Sequence, residues 1–330
     1  MRVLVTGGGG FIGGGLARRL AEAGEAVRTF SRGDYPELAR LGVEQHRGDL
    51  GDPEAVARAV EGCELVFHVG AKAGVWGAAE DFHRANVLGT RNVLDACRRH
   101  GVRRLVFTSS PSVVFDGGDL EGIDESQPYP ERYPSPYPET KAISEREVRA
   151  AASEGLMTVS LRPHSVWGPG DPHFVPRIVE RARAGQLRQI GDDTKLVDST
   201  YIDNVVDAHL LAAEKLGPEL NGRVYFVSNG EPRPTWQLIN AIAVAAGAPP
   251  IEKRVPRGLA YAAGSVVEGI WKTFGIASEP RMTRFLVKEL TTAHWFDLSA
   301  IRRDLGYSPR ISIDEGLRRL SVSTDRSSTR

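Results

Sequence analysis

The sequence predicts an α/β protein in which a doubly wound parallel sheet carries a smaller, mixed C-terminal lobe. Three observations lead there. The run Thr6-Gly-Gly-Gly-Gly-Phe-Ile-Gly13 stands between the apolar Val3-Leu4-Val5 and a helical pattern, Phe11, Ile12, Leu16, Leu20. Apolar strands then alternate with helical stretches as far as residue 165. Beyond that point the rhythm breaks at Pro- and Gly-rich joints, Gly168-Pro-Gly-Asp-Pro172 and Glu231-Pro-Arg-Pro234.

Each element has a local reason. Strands are expected at Val3–Thr6, Ala26–Phe30, Val43–Arg47, Leu65–Val69, Leu105–Thr108 and Thr158–Arg162. Their continuous apolar character needs cover on both faces, and the intervening helices, near 11–23, 53–61, 80–100 and 138–154, supply it through right-handed crossovers. Asp52-Pro53 and Pro138 read as helix starts, with proline in the first turn. The glycines divide the work of a strand–turn–helix that binds a pyrophosphate. Gly7 permits the tight turn, Gly10 lets backbone approach the phosphates, and Gly13 lets the helix pack close to the sheet. Residues 1–165 therefore read as a Rossmann-type dinucleotide-binding domain, 166–320 as a substrate lobe returning some elements to the main sheet, and 321–330 as a disordered polar tail.

Composition excludes several classes. Lysine plus arginine and aspartate plus glutamate number 42 each among 330 residues, so bulk charge points neither to nucleic acid nor to an anionic membrane. No run reaches 18 apolar residues, so no membrane span is expected. No secretory leader is expected, because the first strand starts at residue 2 or 3 and meets glycines. The eight histidines have no ligand spacing, and no metal site is expected. Cys63 and Cys97 read as free thiols of a reducing, cytoplasmic compartment.

The chemistry is expected at Tyr137-Pro-Glu-Thr-Lys141. A spacing of four puts both side chains on one helix face, where an ammonium would lower the phenol toward neutrality and fit it for proton transfer. Leu105-Val-Phe-Thr-Ser-Ser-Pro-Ser112 ends a buried strand in hydroxyls, at the sheet edge where such folds bind substrates.

These motifs, with Gly48-Asp-Leu50, Phe67-His68, Asn86-Val-Leu-Gly-Thr90 and Leu161-Arg-Pro-x-x-Val-Trp-Gly-Pro-Gly170, resemble those of the extended short-chain dehydrogenase/reductase family over nearly the whole chain. The resemblance implies a catalytic trio of Ser110, Tyr137 and Lys141, with Ser112 as the runner-up hydroxyl. It implies that Tyr137 is the acid/base and that Lys141 also binds the nicotinamide ribose. Gly7, Gly10, Phe11, Ile12 and Gly13 would surround the cofactor, Asp49 and Leu50 would contact its adenine, Pro163 would lie near the nicotinamide, and Asn86 would underlie the site. At the end of the second strand, about 20 residues past the glycines, an acid would select NAD. Arg32 stands there instead, so NADP (NADPH) is expected, with Asp34 as a neighbour that could neutralise Arg32 and NAD as the alternative.

Within that family the chain is similar to the branch containing 3β-hydroxysteroid dehydrogenases. The segments Ser31–Pro36, Ala71–Gly77, Leu196–Asn204 and Thr283–Val287 resemble enzymes of bacterial long-chain olefin biosynthesis that reduce 2-alkyl β-keto acids to β-hydroxy acids. The resemblance implies a lipophilic substrate and assembly with other enzymes of the same pathway. A hydroxysteroid dehydrogenase and a nucleotide-sugar epimerase or dehydratase stay as alternatives. Lys72 is a candidate for the cofactor or the substrate carboxylate. The apolar positions 261, 266, 267, 270, 271 and 274 fall on one helical face, facing either the core or a lipid or protein partner. A homodimer is expected through helices near 83–99 and 138–153, whose apolar Val87, Val93, Leu94, Ile143 and Val148 face either a partner or the sheet.

Overall fold

Successive residues of a strand face opposite ways, and here both ways are apolar. Val3, Val5, Phe67, Val106, Val159 and Leu161 enter one core, while Leu4, Phe30, Val66, Leu105 and Phe107 enter another across the sheet. In the computed structural model these residues build the expected parallel sheet. The structure describes every residue except 75, 153, 154, 277, 329 and 330, and for 325–328 the backbone alone. Val75 of the Ala71–Gly77 segment, the expected helix end at 154 and the last two residues of the expected tail thus lie outside the described residues.

The chain runs β1 (Arg2–Thr6), α1 (Phe11–Glu22), β2 (Ala26–Ser31), α2 (Pro36–Arg40), β3 (Glu44–Arg47), α3 (Pro53–Val60) and β4 (Leu65–His68). There follow α4 (Ala79–Phe82), a π-helical turn (His83–Leu88), α5 (Gly89–His100), β5 (Arg104–Thr108), β6 (Leu120–Ile123), α6 (Pro136–Ala151) and β7 (Met157–Pro163). The second part adds β8 (Val166–Trp167), α7 (Phe174–Arg183), β9 (Gln189–Ile190), β10 (Leu196–Val197), β11 (Thr200–Tyr201), α8 (Ile202–Lys215) and β12 (Arg223–Val227). It ends with β13 (Arg233–Pro234), α9 (Thr235–Ala245), β14 (Arg254–Val255), α10 (Arg257–Thr273), α11 (Arg284–Thr291), β15 (His294–Phe296), α12 (Ser299–Leu305) and α13 (Ile313–Ser328).

Seven strands form the main sheet in the order β12-β7-β5-β4-β1-β2-β3, all parallel. The order reverses at β1, and the crevice beyond the strand ends there is where this topology binds ligands. β12 reaches the main sheet from the second part of the chain, pairing Phe226 with Arg162. A four-stranded sheet, β13-β10-β15-β6, lies beside it.

Local chemistry accounts for the boundaries. Asp52 caps α3 by accepting from the N–H of Glu54 and of Ala55, each at 3.1 Å. α6 starts at Pro136, two residues before the expected Pro138, so Tyr137 sits in its first turn. Helix α13 continues through Ser328, where composition predicts a disordered tail from residue 321. Buried Leu320 and the Glu315–Arg318 and Glu315–Arg319 pairs hold its first turns, and helix propagates cheaply from there. Four of the five residues expected to offer a pairing face, Val87, Val93, Leu94 and Val148, are instead buried in the chain's own core.

Helix α10 is turned inside out. Gly264 packs so close to α11 that a Cβ there would lie 3.1 Å from the Thr283 backbone. Buried Glu268 accepts from the Arg284 N–H and pairs with its guanidinium at 2.8 Å. These two contacts fix the helix rotation and leave Val266 (63% exposed), Ile270 and Phe274 (75% exposed) toward solvent. The apolar face read from sequence thus points outward.

Candidate active site

The glycine loop is built as a cradle. Gly7 has φ +67°, and a Cβ on it would meet Gly70 Cα at 2.7 Å. A Cβ on Gly13 would lie 2.3 Å from Gly7 O, so only glycine lets α1 approach the loop. Gly10 is the N-cap of α1 and, with no side chain to offer, leaves the first-turn amides uncapped; no acid stands in that turn. Free amides at the positive end of a helix fit a pyrophosphate. Two partners of the loop escaped the sequence reading. Ser31 Oγ, at the end of β2, accepts from Gly9 N–H at 3.0 Å. The Tyr35 ring packs directly against Gly9, where any Cβ would clash.

Past β2, Arg32 is exposed and makes no ion pair among the described residues. Asp34 is bound to Arg47 at 3.2 Å, so it does not neutralise Arg32. Asp49 accepts from Gly51 N–H at 2.8 Å and lies 3.6 Å from the Arg84 guanidinium. Leu50 packs against Gly89 and Gly70, and its carbonyl accepts from Asn92 at 2.7 Å.

Asn86 sits in the π-helical turn and ties three elements together. Its amide clamps the Lys72 backbone on both sides, at 2.7 and 3.1 Å, and donates to Thr140 of α6 at 3.0 Å. The Asn86 carbonyl at this turn also accepts from the Thr90 and Ser144 hydroxyls. His68 bridges Thr6 and Thr90, and burial pushes its pKa down to about 3, which keeps it neutral.

A cavity of about 370 Å³ opens at the C-terminal ends of β4, β5 and β7. Ile12, Ser110, Tyr137, Lys141 and Pro163 from the expected set line it, with the runner-up Ser112. Phe11, Arg32, Asp49, Leu50 and Lys72 do not. Lys72 points away, paired with Asp81 at 2.8 Å.

Ser110 Oγ lies 2.9 Å from Ser112 Oγ and bonds the Tyr137 phenol. Burial pushes that phenol above its ordinary value, the Ser110 bond pulls it down, and the charge of Glu289 pushes it up. Lys141 is absent from these causes. Its Nζ donates to Thr108 O at 2.7 Å, stands over the Phe107 ring, and is pulled down to about 7 by burial. The expectation that its ammonium lowers Tyr137 is therefore corrected: here its reach is spent on the end of β5. A protonated Tyr137 suits donation of a proton to a ketone oxygen.

One helical turn beyond Lys141, Glu145 forms a fully buried bidentate pair with Arg162 of β7, at 2.6 and 3.0 Å, and accepts from Tyr129 Oη. This pair anchors α6, the helix of Tyr137 and Lys141, to the sheet. Its sequence signal was available, since Glu145 repeats the four-residue spacing from Lys141. The opposite wall was not legible: α11 contributes Phe285 and Glu289, and β15 contributes His294.

Comparison with known proteins finds relatives over nearly the whole chain. Residues 4–256 match the model of the 3-beta hydroxysteroid dehydrogenase/isomerase family. A 2-alkyl-3-oxoalkanoate reductase of Stenotrophomonas maltophilia is 50% identical over 98% of this chain and 99% of its own. A decarboxylating sterol-4-alpha-carboxylate 3-dehydrogenase of Saccharomyces cerevisiae is 36% identical over 96% of this chain and 95% of its own. Among solved structures, Thermus thermophilus UDP-glucose 4-epimerase, in complex with NAD, superposes with a TM-score of 0.75 at 29% identity, covering 99% of both chains.

Proposed function

The chain belongs to the 3-beta hydroxysteroid dehydrogenase/isomerase family, and on that premise we propose that it reduces a 2-alkyl-3-oxoalkanoic acid to the 2-alkyl-3-hydroxyalkanoic acid with NADPH, in long-chain olefin biosynthesis. The carrying observation is the meeting of Ser110, Tyr137 and Lys141 on one cavity, in a chain half identical to a reductase of that name. It is a nicotinamide-dependent oxidoreductase.

The bound cofactor would supply the hydride. The glycine loop and the α1 amides would hold its pyrophosphate, Asp49 and Leu50 its adenine, Lys141 its ribose, and Pro163 and Ile12 would border the nicotinamide. Tyr137 gives its proton to the ketone oxygen as negative charge develops there, and the Ser110 hydroxyl bonds the same oxygen. Lys141, held by Thr108 O, keeps the floor of the site in register. An unpaired Arg32 beyond β2 supports NADPH over NADH. Two buried free thiols, Cys63 and Cys97, support a cytoplasmic setting. Pairing into a homodimer would use the outer faces of the π-helical turn, where Leu88 is exposed, and of α5 and α6.

The test is NADPH oxidation with a 2-alkyl-3-oxoalkanoate, a 3-oxosteroid and a nucleotide sugar in parallel. Consumption with the keto acid at least tenfold above the others is expected. Faster consumption with the steroid overturns the substrate, and conversion of the sugar without net NADPH loss overturns the reaction.

A further inference from the structure

The acid group of such a substrate needs a receptor, and among the described residues the cavity offers no cation besides Lys141, which the reading above gives to the cofactor's ribose. The Lys141 ammonium is also bonded to Thr108 O. Lys72 is outside, bound to Asp81. His164 and His294 face the cavity, but burial pulls them down to about 4 and 3, so both are neutral.

Glu289 lines the same cavity, near enough to Tyr137 for its charge to be felt there. Its backbone is secured, since the His294 ring bonds its carbonyl. Its carboxyl makes no hydrogen bond among the described residues. Two surroundings disfavour the ionised form: burial, and a place in the last turn of α11, the negative end of the helix.

We propose that Glu289 is the receptor for the substrate's carboxyl group, the two carboxyls sharing one proton across a single hydrogen bond. This rests on the keto-acid reading above. The assignment fits the chemistry common to two relatives, whose names place a carboxyl on the carbon next to the reacting one. It also gives the site discrimination. A neutral ketone leaves the Glu289 proton without an acceptor, while a carboxylate captures it. Burial holds Glu289 near 7, so the sign of the pH effect follows. Below that value Glu289 carries the shared proton and the acid binds. Above it two anions meet, and each further pH unit costs up to about tenfold in affinity.

The experiment runs in the oxidative direction, on a 2-alkyl-3-hydroxy acid and on its methyl ester, from pH 6 to about pH 9 with NADP. Lys141 lines the same cavity and titrates in the same window, so the Glu289→Gln variant, which leaves Lys141 in place, separates the two contributions. For the unaltered enzyme the acid's KM is expected to rise several-fold to tenfold per unit above neutrality, while the ester's stays level once their common trend is divided out. Glu289→Gln keeps a donor that cannot ionise, and the differential slope should vanish. Glu289→Leu should raise the acid's KM about tenfold or more and the ester's less than threefold. Parallel pH profiles for acid and ester in the unaltered enzyme, or equal losses with Glu289→Leu, overturn the proposal. No turnover of either substrate by the unaltered enzyme overturns the keto-acid reading itself, and the receptor role falls with it.

Discussion

Helices α6 and α11 face each other across one cavity, yet they are held in unlike ways. α6 brings Tyr137 and Lys141 and is bolted to the sheet by Glu145–Arg162, where both side chains are at most 1% exposed. α11 brings Phe285 and Glu289 and is held to α10 by Glu268–Arg284, where Arg284 is 47% exposed. Under the proposed function the reacting oxygen demands fixed geometry, and the wall proposed to donate the proton is the one tied by a dry ion pair. The wall proposed to receive the rest of the substrate is tied by a pair that water reaches at Arg284.

The largest expected effect tests that asymmetry. Arg162→Leu strands the Glu145 carboxylate in a dry interior, and the loss should be about 3–5 kcal/mol of folding stability. Arg284→Leu leaves Glu268, which is buried but keeps its bond from the residue-284 N–H, and should cost less, about 1–2 kcal/mol. Urea denaturation of both variants measures the difference. Equal losses would mean that α11 is as firmly built in as α6.

Next comes the chemistry. Tyr137→Phe should lower kcat by about a hundredfold or more and leave NADPH affinity nearly unchanged, the signature of a group that acts in the transition state. Retention of more than half of wild-type turnover would remove Tyr137 from the mechanism. A smaller effect is expected at Arg32, just past the end of β2. Charge-assisted bonds to a 2′-phosphate contribute about 1.5–3 kcal/mol each. Arg32→Ala should therefore weaken NADPH about tenfold to a hundredfold and spare NADH, read by fluorescence titration with each cofactor. Equal weakening of both would assign Arg32 to general charge.

The same contrast explains what was legible in the sequence. The main sheet, the glycine loop and the Tyr137/Lys141 pair are encoded by short-range regularities: apolar runs, helix starts and a four-residue spacing. Their partners across the chain are not. Nothing local marks Ser31 as the acceptor for Gly9, or Arg162 as the mate of Glu145, because each contact joins residues brought close only by strand order. Lys72 had the right charge in the right loop, but Asp81, nine residues on, had first claim on it. Glu289 is the extreme case. It belongs to no motif, and the role proposed for it rests on a carboxyl with no hydrogen-bond partner among the described residues, which only the folded chain displays.

The smallest expected effect concerns the outward face of α10. An apolar residue at helical spacing reads as core, and truncating a core phenylalanine costs about 3–5 kcal/mol. Phe274 is 75% exposed, so its burial contributes little to the folded state. Phe274→Ser and Val266→Ser should shift folding stability by no more than about 0.5 kcal/mol each, as surface substitutions do. By contrast, Gly264→Val on the inner face must push against the Thr283 backbone and should cost well over 1 kcal/mol. Thermal denaturation of the three variants decides it. A loss at Phe274 comparable to that at Gly264 would mean that the exposed stripe is covered in solution, and that α10, like α6, is oriented by what its large side chains touch. A small loss leaves Gly264 and the Glu268–Arg284 pair as what sets its rotation.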